Sequence, residues 1–550
     1  MSASIHTAIH TAILRGIQAI PIEVEVGTSR GIPGLTIVGM PDVAVLEARS
    51  RIRCALRASG FHIPRLHITI NLSPSDIRKT GTALDLPIAA GILCATQQIR
   101  ADTIKDFLLV GELSLNGTVC PVRGEAAYEL LCQQQALTLC GAVLDAQKAW
   151  CIHALADLRS KPRIENASAI RNNLSSEVAL HGDNDARGSA RSMYGHELGE
   201  KDGRELGDYN QVFGQELVKR ALVIAAAGKH GLLMIGPPGA GKTMLARRLP
   251  SILPSLDAAE IQEATLVHSV AGIPIQSLQE GKRAFRAPHH AISLAGMVGG
   301  GRPMLPGEIS LAHKGVLFLD EIPEFPSHTL QALRQPMEQK SIRLVRVDGI
   351  YEFPCDFMLI AAANPCPCGY YGDSKHRCTC STSTIEKYLG KLGGPLMDRI
   401  DLQVDVARPD SKKVITGQKG LSTQAMREQV LRGVAFRKKR LEQECSMKAT
   451  REQDTLSKTS DAAAVNTVAN AASVVSARNP TKAKKDSPTK DFSNEARHAL
   501  EALCDSYALG GRAITRTIGV ARTIADLDER MTIEADDVIE AVSYRMRGSL

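Results

Sequence analysis

Residues 236 to 243, Gly236-Pro237-Pro238-Gly239-Ala240-Gly241-Lys242-Thr243, fit the pattern G-x-x-x-x-G-K-[ST] throughout. An ammonium beside a hydroxyl, behind a glycine-rich turn, suits a polyphosphate. Lys242 would reach the β- and γ-phosphates and Thr243 would bind Mg²⁺. Further along, Asp320 and Glu321 stand side by side after an apolar run. Asp320 would hold the Mg²⁺ shell, directly or through water, and Glu321 would orient and polarise the attacking water. Asn364 offers an amide that can bond the γ-phosphate or that water without adding charge; before Pro365 it also fits a plain turn. Together these residues imply a nucleoside-triphosphate site using Mg²⁺. A second chemistry is written in Cys366, Cys368, Cys378 and Cys380, two Cys-x-Cys pairs with nine residues between them. Four thiolates satisfy tetrahedral Zn²⁺. The spacing departs from the common Cys-x₂-Cys, and His376 is a substitute ligand. Two reduced pairs in a cytosolic loop, or a transient disulfide, fit the same residues.

Chemistry of this kind needs strands that end where it happens. Gly231 to Ile235 is an apolar stretch that predicts a buried parallel strand, and Met244 to Leu249 opens a helix after the glycine turn. Gly315 to Leu319 predicts a second buried strand carrying the two carboxylates to its C-terminal end, where α/β ligands bind. A third, Met358 to Ala363, brings Asn364 to the same edge. Ser341 to Phe353 reads as two short strands joined around Asp348-Gly349, a hairpin signal.

The 550-residue chain has room for about three domains. It is 44% apolar and 23% charged with a net charge of +7, which permits a nucleic-acid partner without requiring one. Met1 to Ile20 is interrupted by His6, His10, Arg15 and Gln18, so no secretory signal is expected. No apolar run is long enough for a membrane span. The thirteen cysteines show no disulfide framework, and a cytoplasmic location without membrane contact is expected. Four regions are expected: an α/β domain at 1–156, a polar linker at 157–205, a nucleotide-binding block at 206–408 and a helical block at 409–550. The last contains an Ala/Ser/Thr/Lys-rich, disordered insertion at about 445–490.

Leu317 to Glu321, Ala362-Ala363-Asn364-Pro365 and Gly394-Pro395-Leu396-Met397-Asp398-Arg399-Ile400-Asp401 resemble the Walker B, sensor-1 and arginine-finger segments of AAA+ ATPases. Phe285 to His290 and Pro306 to His313 resemble stretches that precede Walker B in the magnesium-chelatase-like branch. Gly34 to Asp42 and Asn71 to Lys79 resemble the Lon-protease-like domain fused in front of the ATPase in the ComM/YifB family. The resemblance covers the chain apart from its two polar stretches. It implies an α/β fold class: a P-loop AAA+ module with a parallel sheet flanked by helices, a C-terminal helical lid and an N-terminal Lon-like α/β domain. It further implies a homo-oligomeric ring, usually a hexamer, hydrolysing ATP between subunits. Arg399 would then act on a neighbour's γ-phosphate. Arg512 would be the lid's sensor-2 arginine on the γ-phosphate, with Arg516 as the fallback. The family more often has Ser-x-Arg where this chain has Gly510-Gly511-Arg512. Gly214 and Gln215 would approach the adenine.

The substrate is less legible. Lys282 to Arg302 sets Arg283, Arg286, His289 and His290 among glycines, a composition that suits a phosphate backbone and equally an ordinary solvated loop. By resemblance, the hairpin lines the ring pore with Arg343 and Arg346 facing the channel. The family implies DNA translocation, of helicase or branch-migration type, on single-stranded or branched DNA during natural transformation. A chelatase-type subunit remodelling a partner for metal insertion is the alternative, and a Lon-type peptidase a third. The fused N-terminal domain argues against the second reading. Against the third, Thr82 falls where the nucleophile would be and Ala126 where the activating lysine would be, so the hydroxyl lacks a base.

Overall fold

The apolar runs around the glycine turn become the middle of a five-stranded parallel sheet in this computed structural model. All residues are described except 1–6, 64, 143–147, 166–206, 374, 409–414, 417–419, 460–490 and 546–550. In spatial order the strands are Phe285–Arg286, Val316–Leu319, Met358–Ala363, Leu232–Ile235 and Leu402–Asp405. Every neighbouring pair is parallel. Every residue of the three central strands is buried, which explains why they read as unbroken apolar runs rather than alternating ones: both faces are covered. Leu232, Met234, Phe318 and Ile360 pack on one face with Leu222, Val520 and Ile524. Leu233, Ile235, Leu317, Leu319 and Leu359 pack on the other with Ile309, Phe325 and Ile400. The strand carrying Asn364 lies between those carrying the glycine turn and the two acids, so three C-terminal ends converge.

The N-terminal region is α/β. Strands Thr7–Arg15, Gln18–Ser29, His67–Ser73 and Gly34–Val38 form one sheet in that order, the last pair parallel. The parallel pair is joined through helix Val43–Ala58, capped by the Asp42 carboxylate accepting from Val45 N at 2.9 Å. Ile68, Ile70 and Leu72 alternate into the core, where helix Asp85–Ala95 is buried along its whole length. Phe107–Leu109, Thr138–Gly141, Ala149–Cys151 and Ile164–Glu165 form a second sheet. Part of the stretch assigned to the linker is therefore built into this domain: Leu155–Arg159 is a 3₁₀ turn and Ile164–Glu165 pairs with Ala149–Cys151. The linker expectation for 166–205 lies outside the described residues.

C-terminal to the sheet, helices Thr423–Thr459, Asn494–Ser506, Gly511–Leu527 and Ala535–Ser543 pack together. Arg440 grips Asp526 through two hydrogen bonds of 3.0 and 3.1 Å, joining the first helix to the third. Thr423–Thr459 corrects a boundary: residues 445–459, expected to be disordered, continue this helix. Their Lys, Glu, Gln and Met content favours a helix even where it is polar. The rest of that insertion, 460–490, lies outside the described residues. The helix after the glycine turn is shorter than expected, Lys242–Arg247, followed by the 3₁₀ turn Leu249–Ser251. Pro250 disfavours helical backbone at Leu249.

The N-terminal domain is docked on the ATPase sheet region. Helix Glu125–Gln135 lies against helix Ala258–Ala271; Gly124 N donates to Ser269 O at 3.0 Å and Ala126 N to Ser269 Oγ at 3.1 Å. Ile17, at the turn of the first strand pair, packs with Val267, Ala271, Ile273 and Leu311. Beside it, Arg15 Nη2 donates to the Asp348 carbonyl at 3.4 Å.

Candidate ATP site and its distant arginines

The glycine turn runs from the buried strand into the short helix. Gly241 caps that helix with φ +90°, a conformation that a side chain would strain. Lys242 is 8% exposed, and its Nζ donates to Gly236 O at 2.6 Å, Pro237 O at 3.1 Å and Asn364 Oδ1 at 3.1 Å. Burial lowers its pKa, against the pull of Asp320 and Glu321. A triphosphate would supply the anion that its charged form lacks. Thr243 Oγ1 donates to Asp320 Oδ2 at 2.6 Å, so the two residues expected around Mg²⁺ are already side by side. The donor set, a hydroxyl and a carboxylate, suits a hard cation that keeps several waters.

Glu321 is held with φ +50°, uncommon for a non-glycine residue, and its NH donates to Asp320 Oδ1 at 3.0 Å. Its carboxylate is 53% exposed and lies 3.8 Å from His290 Nδ1. The turn thus leaves the longer acid exposed to solvent. Gly214 and Gln215 sit where the segment before helix Glu216–Gly228 meets the end of the last sheet strand; the Gln215 amide donates to Ala407 O. Tyr209 OH donates to Leu245 O at 2.8 Å, fastening the same segment to the helix after the glycine turn.

Arg399 lies elsewhere. Gly231, at the start of the strand feeding the glycine turn, packs against Arg399 and Ile400, and Asp401 N donates to Gly231 O at 3.0 Å. Five residues of extended chain, about 16 Å, separate that end from Gly236. Arg399 Nη2 donates to Glu338 Oε1 at 2.6 Å, and Arg512 Nη2 stands 4.0 Å from the same oxygen. The two arginines therefore meet on one edge of the subunit, away from its own Lys242. Arg512, expected on a γ-phosphate, thus stands with Arg399 rather than beside this chain's Lys242. Arg516 is engaged, donating to Arg399 O at 2.8 Å and Asp401 Oδ1 at 2.5 Å. Burial pushes Asp401 up, but His230 and Arg516 outweigh it and hold the carboxyl below its usual range.

Of the six residues expected at nucleic acid, Arg283 and Arg286 are engaged within the chain. Arg283 donates to Pro254 O, Lys314 O and Glu260, with its side chain 7% exposed. Arg286 makes two bonds to Glu308, of 2.7 and 2.6 Å. The His289 and His290 rings meet tilted, with centroids 4.0 Å apart, and His290 faces Glu321 and Phe325. The acids that engage them lie on other elements, and no local signal announces such pairing. Arg343 and Arg346 are exposed on the hairpin Ser341–Arg346/Gly349–Pro354, but not as one surface. Three residues apart on a strand, they project from opposite faces. Arg346 Nη2 lies toward Gly300, in the two-stranded ribbon Gly299–Gly300/Leu305–Pro306. The hairpin turn is Val347-Asp348, one residue earlier than expected.

The four loop cysteines do converge: Cys366, Cys368, Cys378 and Cys380 hold their sulfurs within 4.8 Å of one another, a set that could hold zinc. In the N-terminal domain, Thr82 Oγ1 donates to Glu112 at 2.6 Å, while Ala126 contributes only backbone to the dock.

A parallel sheet in this order, a phosphate loop and paired acids define an AAA+ ATPase of the magnesium-chelatase type. Residues 208–414 match the family described as magnesium chelatase, subunit ChlI; residues 24–140 match subunit ChlI of Mg-chelatase, and 458–545 the ChlI C-terminal region. YifB of Escherichia coli is 37% identical over 99% of this chain and 97% of its own length. Competence protein ComM of Haemophilus influenzae is 36% identical over 96% and 95%. The chain belongs to the YifB/ComM family of magnesium-chelatase-like proteins. The magnesium-chelatase 38 kDa subunit of Rhodobacter capsulatus is 26% identical over 36% of this chain and 56% of its own. The N-terminal match removes the argument that such a domain is foreign to chelatase subunits; the short coverage of that relative now separates the two. The family implies ATP and Mg²⁺ use. Among the described residues, no helix is long and apolar enough to cross a membrane.

Proposed function

We propose that this protein is an ATP-driven, ring-forming DNA motor of helicase or branch-migration type, acting on single-stranded or branched DNA during natural transformation. The observation that carries the ring is the position of Arg399 and Arg512, together on the edge remote from their own phosphate loop. Two arginines there serve ATP hydrolysis only if a second copy presents its γ-phosphate to them, and a closed head-to-tail ring satisfies every site alike. In each site Lys242 would neutralise phosphate charge, and Thr243 and Asp320 would hold Mg²⁺, which would supply further positive charge to the phosphates. Asn364 positions the γ-phosphate or the water. Glu321 orients the water and takes its proton as oxygen bonds to phosphorus and the β–γ bridge bond breaks. The neighbour's Arg399 and Arg512 would stabilise the charge of that transition state.

DNA as the substrate is supported by the exposed hairpin, with Arg343, Val345 and Val347 at its outer end, and by the name of the Haemophilus relative. The test is ATPase rate with and without single-stranded, duplex and forked DNA, beside an unfolded protein. Stimulation by forked or single-stranded DNA is expected. Stimulation by the protein alone would favour the remodelling role of a chelatase subunit.

A further inference from the structure

Between strand Met358–Ala363 and helix Thr382–Gly390 the chain makes a long loop with no helix or strand among its described residues. Loops of this kind need a function or a brace. Its first cysteine, Cys366, is fully buried. The Sγ–Sγ distances are 3.3 Å for Cys366–Cys368, 3.7 Å for Cys366–Cys378 and 3.6 Å for Cys368–Cys378. A tetrahedral ion with Zn–S bonds of about 2.3 Å sets its sulfurs about 3.8 Å apart. A disulfide would need about 2.05 Å, and all four cysteines are free. An iron–sulfur cluster distributes its cysteines over several irons and spreads them more widely. Backbone amides face the sulfurs as well: Tyr371 N donates to Cys366 Sγ and Cys380 N to Cys378 Sγ, each at 3.4 Å. Such donors offset thiolate charge around a bound ion. His376, the substitute ligand, is committed elsewhere, stacked on Tyr370 at 5.0 Å and 3.5 Å from Asp373.

We infer that Cys366, Cys368, Cys378 and Cys380 bind one Zn²⁺ as four thiolates, and that this closed site braces the ATP site by pressing the loop against the phosphate loop. The contact is direct. Gly369 has φ +83°, and a Cβ there would lie 2.6 Å from Pro238 Cδ. Cys366 follows Asn364 by two residues, so the clamp also fixes the amide that bonds Lys242. At the far turn, Arg408 reaches Asp373 at 3.0 Å and lies over the Tyr370 ring, tying the loop to the chain beyond the last sheet strand. With four protein sulfurs the ion keeps no open position, so its role is structural.

Full-length protein purified under reducing conditions without added metal should carry about one zinc per chain by elemental analysis. The Cys378→Ser/Cys380→Ser protein should lose it. Should that variant fail to fold, cobalt exchanged into the unaltered protein should show sulfur-to-cobalt charge-transfer absorption with tetrahedral d–d bands. Gly369→Ala tests the brace separately: zinc should stay while turnover falls about 10- to 100-fold through misplacement of the phosphate loop. A protein without metal that also fails to take up Zn²⁺ or Co²⁺ overturns the site, and iron as the resident metal overturns its identity. Full turnover in Gly369→Ala, or unchanged nucleotide affinity after zinc is stripped, overturns the brace.

Discussion

In the proposed site Glu321 and Lys242 would divide the work, one facing solvent and the other enclosed by the chain. Lys242 is enclosed by the loop carbonyls and Asn364, whereas the Glu321 carboxylate stands half exposed on a left-handed turn. Lys242→Ala is expected to abolish ATP binding in a fluorescent-nucleotide titration. Glu321→Gln should bind normally and lose about 10²- to 10⁴-fold in turnover, the usual worth of a general base. Near-normal turnover in that variant would remove Glu321 from the mechanism. Much of this was legible because the motif residues are local: strand, turn and helix lie consecutively, and each acid ends its own strand. The engagement of Arg283 and Arg286 is not legible in the sequence, for the opposite reason. Their partners, Glu260 and Glu308, are on other elements, and an arginine's engagement depends on what folding brings beside it.

Among the elements, the hairpin Ser341–Arg346/Gly349–Pro354 separates two arginines that spacing alone should have separated, since a three-residue step on a strand changes faces. Arg343→Ala and Arg346→Ala are therefore expected to differ. Arg343, on the face with Val345, should lower DNA stimulation more than basal turnover, while Arg346 should lower both through the ribbon at Gly300. Equal profiles for the two variants would argue against a face-specific contact. Helix Ala258–Ala271 carries a pH dependence of its own. Burial pushes the His268 imidazole down to about 4, outweighing its bond to Leu311 O, with Arg286, Glu308 and His313 around it. The unfolded chain takes a proton near 6.5, so stability present at neutral pH is lost as pH falls from about 6.5 toward 4. From pH 7 to 5 this amounts to about 2 kcal/mol. Urea melts should show His268→Gln losing correspondingly less over that range; an unchanged pH slope would place the effect elsewhere. The long helix Thr423–Thr459 marks a limit of composition: its polar end looked unstructured because a polar helix and a polar linker share residue types.

For the whole molecule, Arg399 lies apart from Lys242, and in the proposed ring each chain would lend an arginine to one site while owning another. Arg399→Ala should bind ATP yet hydrolyse little, and mixing it with Lys242→Ala should restore part of the activity at interfaces that combine the two intact halves. No recovery at any ratio, with mixed rings shown by native mass spectrometry, would exclude action between chains. The docked N-terminal domain was legible as a fold but not as a dock, because its contacts join residues far apart in the chain: Gly124 and Ala126 on Ser269, Arg15 on Asp348, Ile17 among Val267, Ala271 and Leu311. This dock bears on heredity as much as on motion. Ile17 and its pocket come from distant parts of the chain, so a change of volume on one side calls for a compensating change on the other. A recombinant joining the head of one relative to the motor of another would fit only where both sides of this seam match in volume, and any misfit would fall beside the hairpin that Arg15 touches. Head and motor are, in that sense, a single locus of selection.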